Sequence, residues 1–190
     1  MAGDTMKRLG GFIEYLPASE EPLSADVYFL AGERYCYLFD VGSSVEALEA
    51  IRAVEKEKVV ILSHFHRDHT GNVEKPDFAK LYVGDLTAKK LGTGTVVGEP
   101  VVIRDGIVLE ILPCPSPHTG GSLIVNVNHE YTLIADLFYA RPPADREVAE
   151  KMIRTLETVD TRFFVISHGG EENLFGRERF LEQLRDYFAL

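Results

Sequence analysis

Residues 63–72 read Ser-His-Phe-His-Arg-Asp-His-Thr-Gly-Asn and place four side chains that can bind a metal ion within six positions. These side chains are His64, His66, Asp68 and His69. His64 and His66 are two residues apart, so both rings would point to the same side at the end of an extended strand. Asp68 and His69 follow after the chain turns, so their side chains would point towards a second position close to the first. The segment predicts a metal site, because imidazoles and a carboxylate suit a divalent ion such as Zn²⁺.

An apolar run leads into this segment and predicts the element that carries it. Residues 58–62 read Lys-Val-Val-Ile-Leu, which is typical of a strand buried on both faces. Such a strand would deliver Ser63 and His64 to its carboxyl end. Gly71 and Asn72 then fit a tight turn into the next element.

Three further candidate ligands lie later in the chain. His118 lies in Pro-Ser-Pro-His-Thr-Gly-Gly-Ser, Asp136 follows the run Tyr-Thr-Leu-Ile-Ala, and His168 follows Phe-Phe-Val-Ile-Ser. Five of the six histidines therefore belong to one set of seven candidate ligands. The sixth, His129, lies between two predicted strands, where we expect an exposed hairpin turn. A lone histidine would be read as an ordinary surface residue, but a set of this size argues against that interpretation.

The remaining sequence alternates between strand-like and helix-like patterns. Apolar, β-branched and aromatic runs predict strands at 11–16, 26–31, 34–40, 81–83, 101–104, 107–112, 122–127, 131–135 and 163–166. Helices are predicted after a capping box of Ser43 and Glu46, from a cap at Asp85 to Gly92, after a cap at Asp145, and at 180–188. By itself this pattern supports a mixed α/β domain.

Composition and charge exclude several classes of protein. A chain of 190 residues with 45% hydrophobic content is expected to form one domain over 1–190. No apolar stretch reaches the ~20 residues that span a bilayer, and the two cysteines, Cys36 and Cys114, do not make a disulfide framework. We therefore expect a cytoplasmic protein with no membrane partner. The net charge of −10 argues against nucleic acid as a partner.

In these motifs, and over most of its length, the chain resembles the metallo-β-lactamase fold hydrolases. His118-Thr-Gly-Gly-Ser is similar to the family's Gly-His-Thr-x-Gly-Ser loop, with Pro117 in place of the first glycine. His168 and the glycine after it are similar to the family's final Gly-His-Gly, with Ser167 in place of its first glycine. The resemblance implies a four-layer αβ/βα sandwich, in which two mixed β-sheets pack face to face with helices outside.

The resemblance also divides the seven candidate ligands between two divalent metal ions, with Zn²⁺ favoured over Fe or Mn²⁺. It assigns three ligands to each ion: His64, His66 and His118 to the first, and Asp68, His69 and His168 to the second. Asp136 would bridge the two ions. Asp40, in Phe-Asp-Val-Gly, matches an aspartate that orients a ligand histidine, as carboxylates beside metal ligands do.

Hydrolysis is the activity that the resemblance implies. Two such ions lower the pKa of a bridging water from about 15.7 towards about 7, which makes hydroxide available at neutral pH. Asp68 would handle the proton as well as bind metal. True β-lactamases carry Cys or Ser in place of Asp136, which argues against that activity. Glyoxalase II proteins add a helical domain after the position of His168, whereas only about twenty residues follow His168 in this sequence, which indicates a minimal-length relative of that type. We therefore expect a small metallohydrolase of the glyoxalase II or lactonase type, acting on a small ester, thioester or lactone.

Tyr139 is the candidate for contact with the substrate. It lies three residues after the bridging aspartate, a spacing found in the family's acyl-homoserine lactonases, where a tyrosine contacts the substrate. Because they lie close in sequence to strand ends or to the ligands, the loops near 10–11, 76–78, 139–142 and 171–175 are expected to line the cleft.

Two other classes of function remain open. One is an iron-dependent oxygen, persulfide or redox enzyme of the same superfamily, such as a persulfide dioxygenase or a diiron flavoprotein. The diiron flavoproteins usually carry Glu where this chain has His66, which counts against that form. The other is a catalytically silent metal-binding module, against which the complete ligand set argues.

Overall fold

Two mixed β-sheets pack face to face and carry helices on their outer sides. The computed structural model describes residues 6–140, 145–170 and 172–189. In chain order the strands are β1 (Lys7–Leu9), β2 (Ile13–Leu16), β3 (Ser19–Glu20), β4 (Leu23–Ser24), β5 (Val27–Ala31), β6 (Tyr35–Phe39), β7 (Glu57–Ile61), β8 (Lys80–Val83), β9 (Thr95–Val96), β10 (Val101–Arg104), β11 (Val108–Pro113), β12 (Leu123–Val127), β13 (Tyr131–Ala135), β14 (Phe163–Ile166) and β15 (Leu174–Gly176). The helices are α1 (Val45–Ala53), α2 (Arg67–Thr70), α3 (Asp85–Leu91), α4 (Arg146–Thr158) and α5 (Arg177–Phe188).

Each large sheet combines antiparallel and parallel strands. The first has the order β1-β2-β5-β6-β7-β8-β9, and the second has the order β10-β11-β12-β13-β14-β15. Pairing is parallel from β6 to β9 and between β13 and β14, and antiparallel elsewhere in the two sheets. Both sheets are therefore mixed, as expected.

The core has three layers of apolar contact, which correspond to a four-layer sandwich. Side chains from both sheets form the central cluster, with Phe39 and Leu123 among its buried members. A second cluster joins α1 to the outer face of the first sheet, and a third joins α4 and α5 to the outer face of the second sheet. The predicted αβ/βα sandwich is confirmed.

The packing of strand β7 explains why residues 59–62 are all apolar. Val59 and Ile61 face the central cluster, whereas Val60 and Leu62 face the helices. Because β6 and β7 are parallel, as are β13 and β14, the carboxyl ends of each pair lie at the same edge of a sheet. The candidate ligands that follow these strands are thereby brought to a common edge of the sandwich.

Two predicted helix caps differ from the structure. The N-cap of α1 is Ser44, whose hydroxyl accepts the Ala47 N–H at 3.1 Å, whereas the Ser43 hydroxyl donates to the Leu23 carbonyl. The N-cap of α3 is Gly84, and Asp85 lies within the first turn. The predicted capping box does not form, because the Ser43 hydroxyl is engaged in a tertiary contact and Ser44 caps the helix instead.

Other expectations from composition can be compared with the described part of the chain. Cys36 and Cys114 are buried free thiols. Within the described residues, no helix combines the length and the apolar character that a membrane crossing requires.

Candidate metal centre

Three histidine side chains from two loops converge on one point. His64 Nε2 lies 2.9 Å from His66 Nδ1 and 3.2 Å from His118 Nε2, and His66 Nδ1 lies 3.0 Å from His118 Nε2. Nitrogens bound tetrahedrally to Zn²⁺ at about 2.0–2.1 Å would be about 3.3 Å apart. The triangle of nitrogens is therefore close to the size that a metal ion requires.

A second cluster lies beside the first and contains both carboxylates of the candidate set. His168 Nε2 lies 3.0 Å from Asp68 Oδ2, and His69 Nε2 lies 3.4 Å from the same oxygen. Asp136 Oδ2 lies 3.2 Å from His69 Nε2 and 3.7 Å from His118 Nε2. Asp136 therefore lies between the clusters, in contact range of a histidine from each.

Two buried polar atoms in the second cluster have no hydrogen-bond partner among the described residues. They are His69 Nε2 and Asp136 Oδ1. Buried polar atoms are rarely left unpaired, and both of these are atom types that bind divalent metals. The cluster thus has the composition and the unpaired donors that fit a metal ion.

The electrostatics of the two clusters differ. Burial and the neighbouring imidazoles lower the pKa of His64 far below its usual value, which keeps that ring neutral and able to bind metal. Burial also lowers the pKa of His69, but Asp40 and Asp136 outweigh burial and raise the pKa to about 10. The carboxylates therefore favour a positive charge at the second cluster, which a bound cation would supply.

Asp40 holds His69 from behind. Asp40 Oδ2 accepts hydrogen bonds from His69 Nδ1 and from the Ser63 hydroxyl, each at 2.7 Å. Asp40 Oδ1 accepts the Ser63 N–H, also at 2.7 Å. Asp40 follows β6 with a positive φ of 61°, a conformation that turns its carboxylate beneath the ligand loop. With Nδ1 used in this way, the lone pair of His69 Nε2 is free to face the cluster.

Replacement of Asp40 should weaken metal binding at the second cluster. We expect Asp40→Ala to raise the dissociation constant of the more weakly held ion by about 10–100-fold, because partners of this kind fix the ring orientation of a ligand. Competition with a chromophoric chelator would measure this. Asp105→Ala is the matched control, since Asp105 is a buried aspartate that accepts the N–H groups of Arg34 and Tyr35 at the opposite end of β6. Equal metal binding in Asp40→Ala and the parent protein would contradict this role.

The loop that carries His118 is fixed by its own backbone and by Tyr139. The Ser116 hydroxyl accepts the His118 N–H at 3.2 Å, and His118 Nδ1 donates to the Tyr139 carbonyl at 2.5 Å. The end of β8 packs against this loop so closely that a Cβ at Gly84 would lie 2.0 Å from the Gly121 carbonyl oxygen. Glycine at position 84 therefore permits the approach that holds the loop in place, even with Pro117 in the position of the family's glycine.

Tyr139 lies at the site but its hydroxyl is already engaged. It donates to the Ser167 carbonyl at 3.2 Å, and 37% of the residue is exposed. The Tyr139 hydroxyl therefore lies near the carboxyl end of β14, at the residue directly before His168. Contact with a substrate stays a prediction.

Asp26 and Ser167 are two further residues at the site whose contacts the sequence reasoning did not anticipate. Asp26 is buried at the start of β5 and accepts hydrogen bonds from the Ser167 hydroxyl and from the His168 N–H, each at 2.9 Å. Burial raises the pKa of this carboxyl. The signal in the sequence was a charged residue directly before an apolar strand, together with a serine where the family has glycine.

The expected cleft was partly wrong. The ligand loop follows Ile61, which pairs with Phe39, and Phe39 in turn pairs with Tyr28 near the start of β5. Residues 10–11 instead form the turn before Ile13, which pairs with Leu30 near the other end of β5. Residues 10–11 therefore lie at the opposite edge of the first sheet. Residues 76–78 also lie at that edge, because Ala79 bonds to Lys58 near the start of β7. A loop that is adjacent to a strand in sequence can lie at either end of that strand, whereas the ligands lie at one end only.

The other expected loops lie at the ligand edge where the structure describes them. Asn173 is buried and packs against Gly169, next to His168. Residues 141–142 and 171 lie outside the described residues. His129 occupies the β12–β13 turn, as expected, with its side chain 46% exposed and away from both clusters.

Comparison with known proteins agrees with this architecture. A model of the metallo-β-lactamase superfamily matches residues 21–75, which include the ligand loop. No curated protein matches the chain. A B3 metallo-β-lactamase with an active-site glutamic acid is similar in structure, with a TM-score of 0.72 and 12% identity over 97% of this chain and 89% of the other.

Two other solved structures show the same likeness. An archaeal metallo-β-lactamase superfamily protein from Sulfolobus tokodaii has a TM-score of 0.69 and 19% identity, over 92% of this chain and 85% of the other. A flavo di-iron protein variant from Thermotoga maritima has a TM-score of 0.70 and 13% identity, over 97% of this chain and 61% of the other. At these identities the structures show the fold alone. The chain has the metallo-β-lactamase fold, and its resemblance to that superfamily is confirmed, whereas the glyoxalase II or lactonase subtype stays a prediction.

Proposed function

We propose that the protein is a dinuclear metal-dependent hydrolase that cleaves a small ester, thioester or lactone. The observation that carries the proposal is the convergence of seven ligand side chains into two adjacent clusters, with Asp136 in range of both. A catalytically silent module would have no need of two complete clusters. The net charge of −10 favours a small neutral or cationic substrate over a polyanion.

The residues of each cluster fit a divalent ion. His64, His66 and His118 would hold the first ion through imidazole nitrogens, a ligand type that suits Zn²⁺. Asp68, His69 and His168 would hold the second, and Asp136 would contact both. When bound, two such ions polarise a carbonyl oxygen and lower the pKa of water towards about 7. The donor set accepts Zn²⁺, Fe or Mn²⁺, of which we favour Zn²⁺.

The protein's own groups would then position reactants and move protons. Asp68 is half-buried, and burial raises the pKa of its carboxyl, but the hydrogen bond from His168 and the nearby His69 together outweigh burial and lower the pKa, which favours the carboxylate form. One carboxylate oxygen is engaged with His168, so the other can accept a proton from water and pass it to the leaving group. The Tyr139 hydroxyl would donate a hydrogen bond to the carbonyl oxygen of the substrate as negative charge develops on that oxygen.

Tyr139→Phe tests this last role. The phenol would have to exchange its bond to the Ser167 carbonyl for one to the substrate. Loss of one such donor typically costs ~10²–10³ in turnover, so we expect a decrease of that order on a lactone or thioester. Metal content should be unchanged, because His118 is held by the backbone carbonyl of Tyr139, which the substitution keeps. If the variant is as fast as the parent on every active ester, Tyr139 has a packing role only.

A substrate panel tests the reaction class. The metal-loaded protein and a chelator-treated sample would be assayed on small esters, thioesters, lactones and phosphodiesters. We expect metal-dependent cleavage of at least one carbonyl substrate. Cleavage of phosphodiesters alone would contradict the carbonyl assignment, and no hydrolysis together with tightly bound iron would favour a redox enzyme of the same fold.

A further inference from the structure

A segment of two residues, Ala25-Asp26, lies between two candidate ligands that come from opposite sheets. The Ala25 N–H donates to the Asp68 carbonyl at 3.0 Å. Asp26 Oδ2 accepts the His168 N–H at 2.9 Å. The segment immediately precedes β5 in the first sheet, whereas His168 follows β14 in the second. One short segment thus holds the backbones of both ligands, whose side chains meet at 3.0 Å.

Ser167 completes this connection through its side chain. Its hydroxyl donates to Asp26 Oδ2 at 2.9 Å and accepts the Asp26 N–H at 3.1 Å. Both residues are 1% exposed, so water does not compete for these bonds. The connection requires a side chain at position 167, where the similar motif of the family has glycine.

The conformation of His168 makes such a connection necessary. Its φ is +58°, a left-handed conformation that residues with a side chain rarely adopt and that persists only where the surroundings impose it. Asp26 fixes the N–H of His168, and the Ala135 carbonyl fixes the N–H of Ser167 at 3.0 Å. Together these bonds hold the backbone in the conformation that turns His168 Nε2 towards Asp68.

On the basis of the proposed dinuclear site, we infer that Asp26 is a positioning residue for the second metal ion. It acts through the backbone of His168 and through Ser167, and it contacts neither the metal nor the substrate. Asp26 therefore contributes to the affinity of the second cluster for its metal ion. It does not affect the metal affinity of the first cluster, which the three histidines form.

The test compares Asp26→Ala, Asp26→Asn and the parent protein by Zn²⁺ titration against a chromophoric chelator. We expect Asp26→Ala to bind one Zn²⁺ as tightly as the parent and the second about 10–100-fold more weakly. Asp26→Asn should recover most of that affinity, because an amide oxygen can still accept the His168 N–H. Asp105→Ala removes a comparable buried aspartate at the far end of β6, and it should leave both dissociation constants unchanged.

Parent-like binding of both ions in a folded Asp26→Ala protein would overturn the positioning role. So would an equal loss in Asp105→Ala, which would indicate a general effect of destabilisation. If Asp26→Ala does not fold, Ser167→Ala replaces it, and it should weaken the second ion about tenfold; unchanged binding there would also overturn the role. A parent protein that binds fewer than two ions would instead refute the proposed function.

Discussion

Asp68→Asn should lower turnover by about 10³-fold or more while the protein remains folded. General acid–base groups typically contribute ~10²–10⁴ in rate, and Asp68 is also a ligand of the second cluster in the proposed site. An amide keeps the size of the side chain but cannot accept a proton at neutral pH. The effect should therefore fall on turnover more than on stability.

The comparison requires a carboxylate whose loss is harmless. Asp85→Asn serves as the control, because Asp85 is exposed and forms a surface pair with Lys89. Turnover on an active ester, metal content and thermal unfolding would be measured for both variants. Retained turnover in an Asp68→Asn protein that holds both metals would mean that Asp68 is not central to the reaction.

His118→Ala should remove an ion from the first cluster. Three histidines form that cluster among the described residues, so two histidines and the shared Asp136 would remain. Loss of a partner that merely orients a ligand costs about 10–100-fold in metal affinity, and loss of a ligand itself should cost at least about 10²-fold. Turnover should fall in parallel if both ions are needed.

His69→Ala should empty the second cluster instead, so the two variants separate the two sites. His129→Ala is the matched control, since that histidine lies in an exposed turn. Metal content after exhaustive dialysis would be measured by elemental analysis. If His118→Ala retains two tightly bound ions per chain, His118 is not a ligand.

The sequence predicted most of the fold because the strands carry strong local patterns. Residues 59–62 are apolar on both faces since β7 is covered by a sheet on one side and helices on the other. The strand predicted at 163–166 coincides with β14. The short strand β15 was missed, because three residues are too few to show a periodic pattern in the sequence.

The candidate ligands could be found because each follows an apolar strand or lies in a recognisable loop. Their geometry could not, since it depends on how the two sheets pack. The contact of Asp26 with His168 joins residues 142 positions apart, which no local pattern encodes. The prediction that residues 10–11 line the cleft was wrong for the same reason. The sequence marks where a strand begins and ends, but it does not show which of these ends lies beside the ligands.

The most direct measurement is a crystal structure of the purified protein with anomalous scattering recorded at the Zn, Fe and Mn absorption edges. Two ions per chain should appear, one bound by His64, His66 and His118 and the other near Asp68, His69 and His168. Asp136 should contact both ions. A fully metallated protein that holds one ion, with Asp136 turned away from it, would contradict the dinuclear site.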